Sequence, residues 1–543
     1  MVFARRSTTL LAAIIASCAM VLSLTACTSD NKTVVEGQTT VTSNSAGGVA
    51  VFTPSDGITL NQQTPLNKWA KLVPDLAKAL ADAGFKKGDI NHTTSDSLAK
   101  QSRAIQDFVV DHLSNNTTDD SGIAIAPDNM TLLVAPVVEA DASTRQYGDY
   151  ISQNLSTNDA TDEGATSDGE SSKDDSSKDD SSNTESDSTA SDEQAQAVDR
   201  LVSSLKLAKE SGMHVVLLGN SIEGYKPDVF VKFSDAQTIG KLQAEKMVSK
   251  LKLDKASKDN PKYIEVLLPY TAVDEKGNAN DSAFAQEAFR GIWQVLGSYY
   301  QKGVVESPSG TLDGKSTEND WQAVAYDAAE EGSTAKVLDK RLAKTDGQST
   351  LTRIDGIITM NDYIASEVVK ELDDLGYTGS AADINPQITI SGIVGNITGK
   401  KDLSRDAVPD PIKSPENDNA NDSSSSDDDA DEDTSASDKD RDSQWPLVTG
   451  YGAYVSNIPS IVNGKQWMTG MEDRQTIATD IAQACAKLNK DEALNSMPSI
   501  RNSEVGGVKK IPTISEPLLA VSASNLKSAL IDPGYISLAD AGL

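Results

Sequence analysis

Apolar and polar positions along this chain switch repeatedly between a period of two and a period near 3.6. Gly48–Phe52 is a short apolar run and predicts a strand. Leu66–Phe85 follows, with Leu66, Trp69, Leu72, Val73, Leu76 and Leu80 at helical spacing and Gly84 where a helix would stop. Ser97–Leu113 predicts a second helix, and Ile123–Ala126 and Leu132–Val137 predict strands. Ala197–Glu210 predicts a helix and His214–Leu218 a buried strand. The alternation continues with helix Asp235–Leu251, strand Tyr263–Leu268, helix Ser282–Gly297 and helix Trp321–Leu342. Strand Ile354–Met360, helix Tyr363–Leu375, strands Ile388–Val394 and Leu447–Gly450, and helix Ile477–Leu488 complete the series. Repeated strand–helix alternation predicts parallel sheets with helices on both faces, an α/β fold. A chain of 543 residues exceeds what one such sheet normally covers, so two lobes are expected.

Charge changes this picture in two places only. The net charge is −32, but residues 159–193 carry 13 acids against 2 lysines, and residues 416–443 carry 12 acids against 2 basic residues. These stretches hold −21 of the total and lack the apolar residues that offset ordering entropy. Disordered acidic inserts are therefore expected over 156–195 and 402–443, interrupting an otherwise moderately charged chain. The sign of the charge argues against a nucleic-acid partner, because phosphates would be repelled.

The N-terminus bears on the compartment. Arg5 and Arg6 precede an apolar run, Leu10 to Leu24, that is short for a membrane span. Leu24-Thr25-Ala26-Cys27 follows directly, small residues before a cysteine, as at a signal-peptide cut. This resembles a bacterial lipobox. The resemblance implies a signal peptide over 1–26 and a lipidated Cys27, with a Ser/Asn/Thr/Gly-rich tether over 27–47. The mature protein would be exported and anchored to the cell membrane on its extracytoplasmic face. With Cys18 removed and Cys27 acylated, Cys485 has no intrachain disulfide partner, so the fold is expected to rest on its core.

Catalytic motifs are missing from the sequence. There is no Gly-x-Ser-x-Gly elbow, no Gly-Lys-Ser/Thr phosphate loop and no paired-histidine metal motif. Gly450-Tyr451-Gly452 lacks the third glycine of a dinucleotide fingerprint. The Asp-rich run 427–433 lacks the spacing of a calcium loop. His92, His112 and His214 form no catalytic arrangement. No enzyme activity, cofactor or metal is expected.

Several segments, taken in order, resemble type I periplasmic sugar-binding proteins, the xylose-type and multiple-monosaccharide solute-binding lipoproteins of ABC transporters. Lys68-Trp69 stands where that family has Arg-Trp. The stretch Ala208–Val216 is similar to its Ala-Lys-x-x-Gly-Ile-x-Val-Ile, and Phe230–Asp235 with Ile239–Ala244 to its Tyr-Val-Ser-Phe-Asp-Asn…Val-Gly-x-Leu-Gln. Asp355-Gly356-Ile357 leading to Asn361-Asp362, then Ile461–Thr469 and Ile511–Tyr535, continue the likeness to the C-terminus. The resemblance implies the two-lobed type I periplasmic-binding-protein fold, each lobe a parallel sheet flanked by helices. It implies three inter-lobe crossings, hinge closure on a ligand in the cleft, and delivery to an ATP-driven permease. Lobe limits of 48–220 plus 464–510 and 221–463 plus 511–543 are expected, in a monomer.

A sugar offers an apolar ring face to aromatic side chains and a rim of hydroxyls to planar polar groups. The candidate ligand-binding residues are Lys68, Trp69, Asn220, Asp235, Trp321, Asn361, Asp362 and Gln466. Asn361 and Asp362 follow a predicted strand, where ligands of parallel sheets gather. The family's pattern also breaks at several positions. Gly219-Asn220 replaces Asp-Arg, Ser234-Asp235 replaces Asp-Asn, Tyr451-Gly452 replaces Gln-Asp, and Phe284 replaces an Asn. Losing these charge-assisted groups predicts an altered ligand: larger, less hydroxylated or glycosidically linked. Two other functions fit the same pattern, a ligand-sensing lipoprotein that presents to a receptor and a surface lipoprotein with a degenerate cleft.

Overall fold

The structure, a computed structural model, describes residues 46–55, 65–115, 125–138, 142–157, 185–271, 282–343, 351–382 and 445–543. Cys27, the expected signal peptide and strand Ile388–Val394 lie outside the described residues, as do most of the tether and of both acidic inserts.

Strand–helix alternation produces the parallel order twice. The first lobe begins with β1 (Gly48–Pro54), α1 (Trp69–Asp82), β2 (Ile90–Ser95), α2 (Leu98–Asn115) and β3 (Met130–Val134). It continues through α3 (Ala142–Arg145), β4 (Asn154–Leu155), α4 (Glu185–Glu210), β5 (His214–Leu218), β6 (Ser221–Ile222) and β7 (Val229–Lys232). The second lobe runs through α5 (Ala236–Leu251), β8 (Lys262–Val266), β9 (Leu268–Tyr270), α6 (Ala283–Gln301), β10 (Val305–Glu306), α7 (Trp321–Val324) and β11 (Ala325–Asp327). It adds α8 (Ser333–Leu342), β12 (Gly356–Ile358), α9 (Asp362–Asp374) and β13 (Leu447–Val448). The chain then passes through α10 (Ile458–Val462), β14 (Met468–Met471), α11 (Arg474–Leu488), β15 (Ile500–Val505), β16 (Val508–Ser515) and β17 (Leu519–Ser522).

The first sheet has the order β15-β16-β7-β5-β3-β1-β2, parallel except where β15 meets β16. The second has the order β10-β8-β12-β13, all parallel. Period-two alternation divides each strand between two cores. Val49 and Val51 of β1 and Val216 and Leu218 of β5 pack under α1 and α11, with Leu72, Leu76 and Ile481. Their neighbours Ala50, Phe52, Val215 and Leu217 face α2 and α4, with Ile105, Leu201 and Leu205. Full burial of each large apolar side chain contributes roughly 1.5–3 kcal/mol. In the second lobe Ile264, Val266 and Ile358 pack on α5 and α6, while Leu267 and Ile357 pack on α8 and α9.

The chain crosses between lobes three times. It leaves β7 through Phe233-Ser234-Asp235 into α5, returns by β14, and crosses again at β17. β14 and β17 pair antiparallel, so two crossings form one ribbon. The two-lobed arrangement implied by the resemblance is therefore the one the chain adopts. The first crossing follows β7 and so lies beyond the expected break after Asn220, because β7 is paired between β5 and β16. For the same reason Ile511–Ser515 belongs to the first lobe.

Other elements also differ from expectation. The helix predicted over Trp321–Leu342 is divided, because Ala325–Asp327 pairs in parallel with β9 and cross-strand pairing overrides the helical period. α4 starts at Glu185, inside the stretch expected to be disordered. Its later turns are anchored by buried Val198, Leu201 and Leu205, and propagation from a packed helix is inexpensive. Ile125 and Ala126, the described half of the strand expected at Ile123–Ala126, have no strand conformation.

Candidate functional site

Strands of both sheets point their carboxyl ends toward the crossings, and the candidate residues fall there. Lys68 is the extended residue before α1, and Trp69 is its first residue. Asn220 follows β5, and beyond Thr359-Met360, which follow β12, Asn361 caps α9, accepting from the Ile364 amide, with Asp362 as the helix's first residue. Gln466 precedes β14.

The structure brings these residues into two groups. In the hinge group, Asp362 is fully buried and its carboxylate accepts from the Gln466 amide (2.7 Å), the Thr469 hydroxyl (2.8 Å) and the Tyr454 amide (2.9 Å). Gln466 in turn accepts from the Asn457 amide (2.8 Å) and donates to the Met468 carbonyl (3.1 Å). A side chain at Gly450 would overlap Asp362 Oδ1, so the residue there has to be glycine. Burial raises the Asp362 carboxyl to about 6 despite these donors. Glu472, one residue past β14, is also buried and accepts from the Ser234 amide at 2.6 Å. The Ser234 hydroxyl lies 2.5 Å from the Tyr451 hydroxyl, which is itself 3.4 Å from Glu472. Burial raises the Glu472 carboxyl to about 7 against the Ser234 hydrogen bonds. Ser234 and Glu472 thus join the first crossing to the second.

The second group lines the space between the lobes, and a segment of the chain's own β3–α4 connection lies against it. From Gln146 to Gln153 this strap is fastened to the first lobe. Asp149 takes Lys68 Nζ at 2.9 Å and the Trp69 amide at 3.1 Å, and its own amide donates to the Asn67 carbonyl at 2.8 Å. The Tyr150 hydroxyl donates to the Lys68 carbonyl at 2.5 Å, and Asn220 Oδ1 accepts from the Gln153 amide at 3.0 Å. Gly148 has φ +102°, and an added Cβ would stand 2.6 Å from the Asn67 carbonyl oxygen, so only glycine allows this approach.

Trp69, 3% exposed, meets Tyr150 edge-on at 5.0 Å and Phe233 at 5.7 Å, and Tyr150 stacks on Phe233 at 4.8 Å. Towards the second lobe, Tyr147 is buried against Phe284 (4.7 Å) and Tyr451 (6.3 Å). The Tyr454 hydroxyl donates to the Gln146 carbonyl at 2.7 Å, and Asn361 Nδ2 donates to Gln146 Oε1 at 3.1 Å.

Two candidates stand apart from these groups. Asp235 caps α5, accepting from the Thr238 amide at 2.7 Å and pairing with Lys232 at 2.8 Å. Burial pushes its carboxyl up, but the Lys232 and Thr238 bonds outweigh this and hold it below the usual range. Trp321 opens α7, partly buried, with Tyr270 edge-on at 5.9 Å.

The sequence reading missed Gln146, Tyr147, Asp149 and Tyr150. Their signal was two tyrosines flanking Gly-Asp in a chain only 5% aromatic, at positions that follow neither period. It also missed Glu472 and Tyr454. Four of the positions where the family pattern breaks touch the strap. Phe284 and Tyr451 pack on Tyr147, Asn220 holds Gln153, and the Ser234 carbonyl accepts from the Ser152 amide at 3.4 Å.

Among the described residues no group of His, Cys, Asp and Glu has metal-binding geometry, and no helix is long and apolar enough to cross a membrane. No family model matches the chain, and no curated protein matches it. Solved structures do resemble it. An ABC transporter solute binding protein from Clostridium phytofermentans with bound β-D-glucose is 17% identical, with 91% of this chain and 99% of that chain covered and a TM-score of 0.45. A carbohydrate transporter solute binding protein from Chloroflexus aurantiacus in complex with D-glucose is 18% identical, with 92% and 98% covered and a TM-score of 0.44. A periplasmic ribose ABC transporter from Conexibacter woesei is 13% identical, with 90% and 96% covered and a TM-score of 0.43. The sugars in these descriptions belong to those proteins.

Proposed function

We propose that this chain is an extracytoplasmic solute-binding lipoprotein of an ABC importer, anchored through Cys27, that takes a sugar or sugar-like ligand between its lobes. The observation that carries the reading is the architecture. Two parallel α/β lobes are joined by three crossings, with the carboxyl ends of both sheets, and Trp69, Asn220 and Asn361, at the junction. That geometry supports capture by hinge closure. Lys68, Trp69, Asn220, Asn361 and Trp321 are the residues proposed to contact solute. Asp235, Asp362 and Gln466 would support them through the α5 cap and the hinge.

The ligand is an altered one, larger or less hydroxylated than a free monosaccharide, because Asn220, Ser234, Tyr451 and Phe284 supply fewer charged hydroxyl-binding groups than the resemblance implies. The test is mass spectrometry of solute co-purifying with the full chain, followed by calorimetry with xylose, glucose, galactose, arabinose and their glycosides. Binding of a glycoside or sugar derivative supports the reading. Micromolar binding of a free monosaccharide overturns the altered-ligand part, and no binding of any sugar overturns the solute reading. Incorporation of labelled fatty acid that is lost in Cys27→Ser tests the anchor.

A second reading, a surface lipoprotein whose cleft takes no solute, is favoured by one observation: the cleft-wall groups Lys68, Asn220 and Asn361 already have partners on the strap.

A further inference from the structure

We infer that residues 146–153 act as an internal occupant of the inter-lobe space, a tethered stand-in for ligand that holds the lobes together in the absence of solute. The segment does what a bound molecule would have to do. It presents a ring to each lobe, Tyr150 to Trp69 and Phe233 on one side and Tyr147 to Phe284 and Tyr451 on the other. It supplies polar groups to both walls, Asp149 to Lys68 and Gln146 to Asn361 and Tyr454. Tyr147 and Ile151 lie in the core of the second lobe, while Tyr150 lies in that of the first, so one short stretch is shared between two cores.

The occupant belongs to the chain, so its effective concentration is high and no solute is needed for closure. A solute that uses the same walls has to displace the strap. Its apparent affinity is its intrinsic affinity multiplied by the fraction of molecules in which the strap is released. This consequence for affinity rests on the solute-binding reading, whereas the lobe-clamping role does not.

The experiment measures the distance between lobes in the full chain. Asp107→Cys on α2 and Lys370→Cys on α9 are exposed positions for paired spin labels; Cys18 and Cys27 are replaced by Ser in parent and variant alike, and Cys485 is buried and does not compete. Without ligand, the parent gives a single narrow distance distribution. Gly148→Val combined with Asp149→Ala drives the strap off Asn67 and Lys68, and the distribution becomes longer and broader. Circular dichroism checks that this variant is folded. If it is not, Asp149→Asn alone, which removes the ion pair without touching a core, moves the distribution in the same direction by less. A broad distribution in the parent, or an unchanged one in a folded variant, overturns the inference.

Calorimetry with the same sugars is the second arm. Binding at least about tenfold tighter in the released variant than in the parent supports the displacement consequence. Opening without any sugar binding leaves the clamping role standing and counts against the solute reading.

Discussion

The hinge and the cleft wall are built from the same kinds of residue, yet they are satisfied in different ways. At the hinge, Asp362, Gln466, Thr469 and Asn457 satisfy one another within a stretch of the fold that includes β14 and the start of α9. At the wall, Lys68, Trp69, Asn220 and Asn361 each take a partner from one segment that belongs to neither sheet, although Asn220 also donates to the Pro136 carbonyl and Asn361 also caps α9. Polar residues at the carboxyl ends of parallel strands therefore divide into those that hold the frame and those that grip whatever lies between the lobes. Substitutions should separate the two by their cost.

The largest effect is expected at the hinge. Asp362→Ala leaves the Gln466 amide, the Thr469 hydroxyl and the Tyr454 amide without their acceptor. It should lower unfolding free energy by about 4 kcal/mol in chemical denaturation. Tyr147→Ala removes a buried ring from the seam between the lobes, at a cost of about 3 kcal/mol, and should also lengthen the inter-lobe distance, which the hinge substitution alone does not predict.

The same hinge carboxyls predict a pH effect comparable in size to the Asp362 substitution. The folded-state carboxyls of Asp362 and Glu472 are raised, from 3.8 to about 6 and from 4.5 to about 7. The folded protein therefore binds these protons more tightly than the unfolded chain. The stability they confer is full below the unfolded values and is lost as pH rises through about 6 and 7. Denaturation midpoints measured from pH 4 to 8 should show this decline, and Glu472→Gln, which keeps an acceptor for the Ser234 amide, should flatten it. The smallest effect is expected at the wall. Asp149→Ala loses a partly exposed ion pair and should cost about 1 kcal/mol while still loosening the strap.

Periodicity made most of the frame legible. β5 falls on His214–Leu218 as expected, and α1, α5, α9 and α11 fall within a few residues of their expected limits. It failed where burial does not impose a period. β2 reads Ile-Asn-His-Thr-Thr-Ser with an exposed middle, an edge strand held by pairing with β1 and carrying no apolar signal. The β15–β16 hairpin turns at Gly506-Gly507, a turn signal visible in the sequence but flanked by strands whose exposed positions are mostly polar.

The site was legible in its residue types and hidden in its partnerships. Asn361, Asp362 and Gln466 stand out in the sequence, but nothing local shows that Asp362 turns into the hinge while its neighbour Asn361 faces the strap. The strap was hidden because non-local contacts hold it. Its anchors, Lys68 and Asn361, lie 81 and 215 residues away in sequence from Asp149 and Gln146.

Amide hydrogen exchange on the ligand-free full chain addresses the strap most directly. The Asp149 amide donates to the Asn67 carbonyl and the Gln153 amide to Asn220, so both should exchange slowly, at rates approaching those of β5. Exchange of both at the rate of an unprotected loop would mean that the strap does not occupy the space between the lobes.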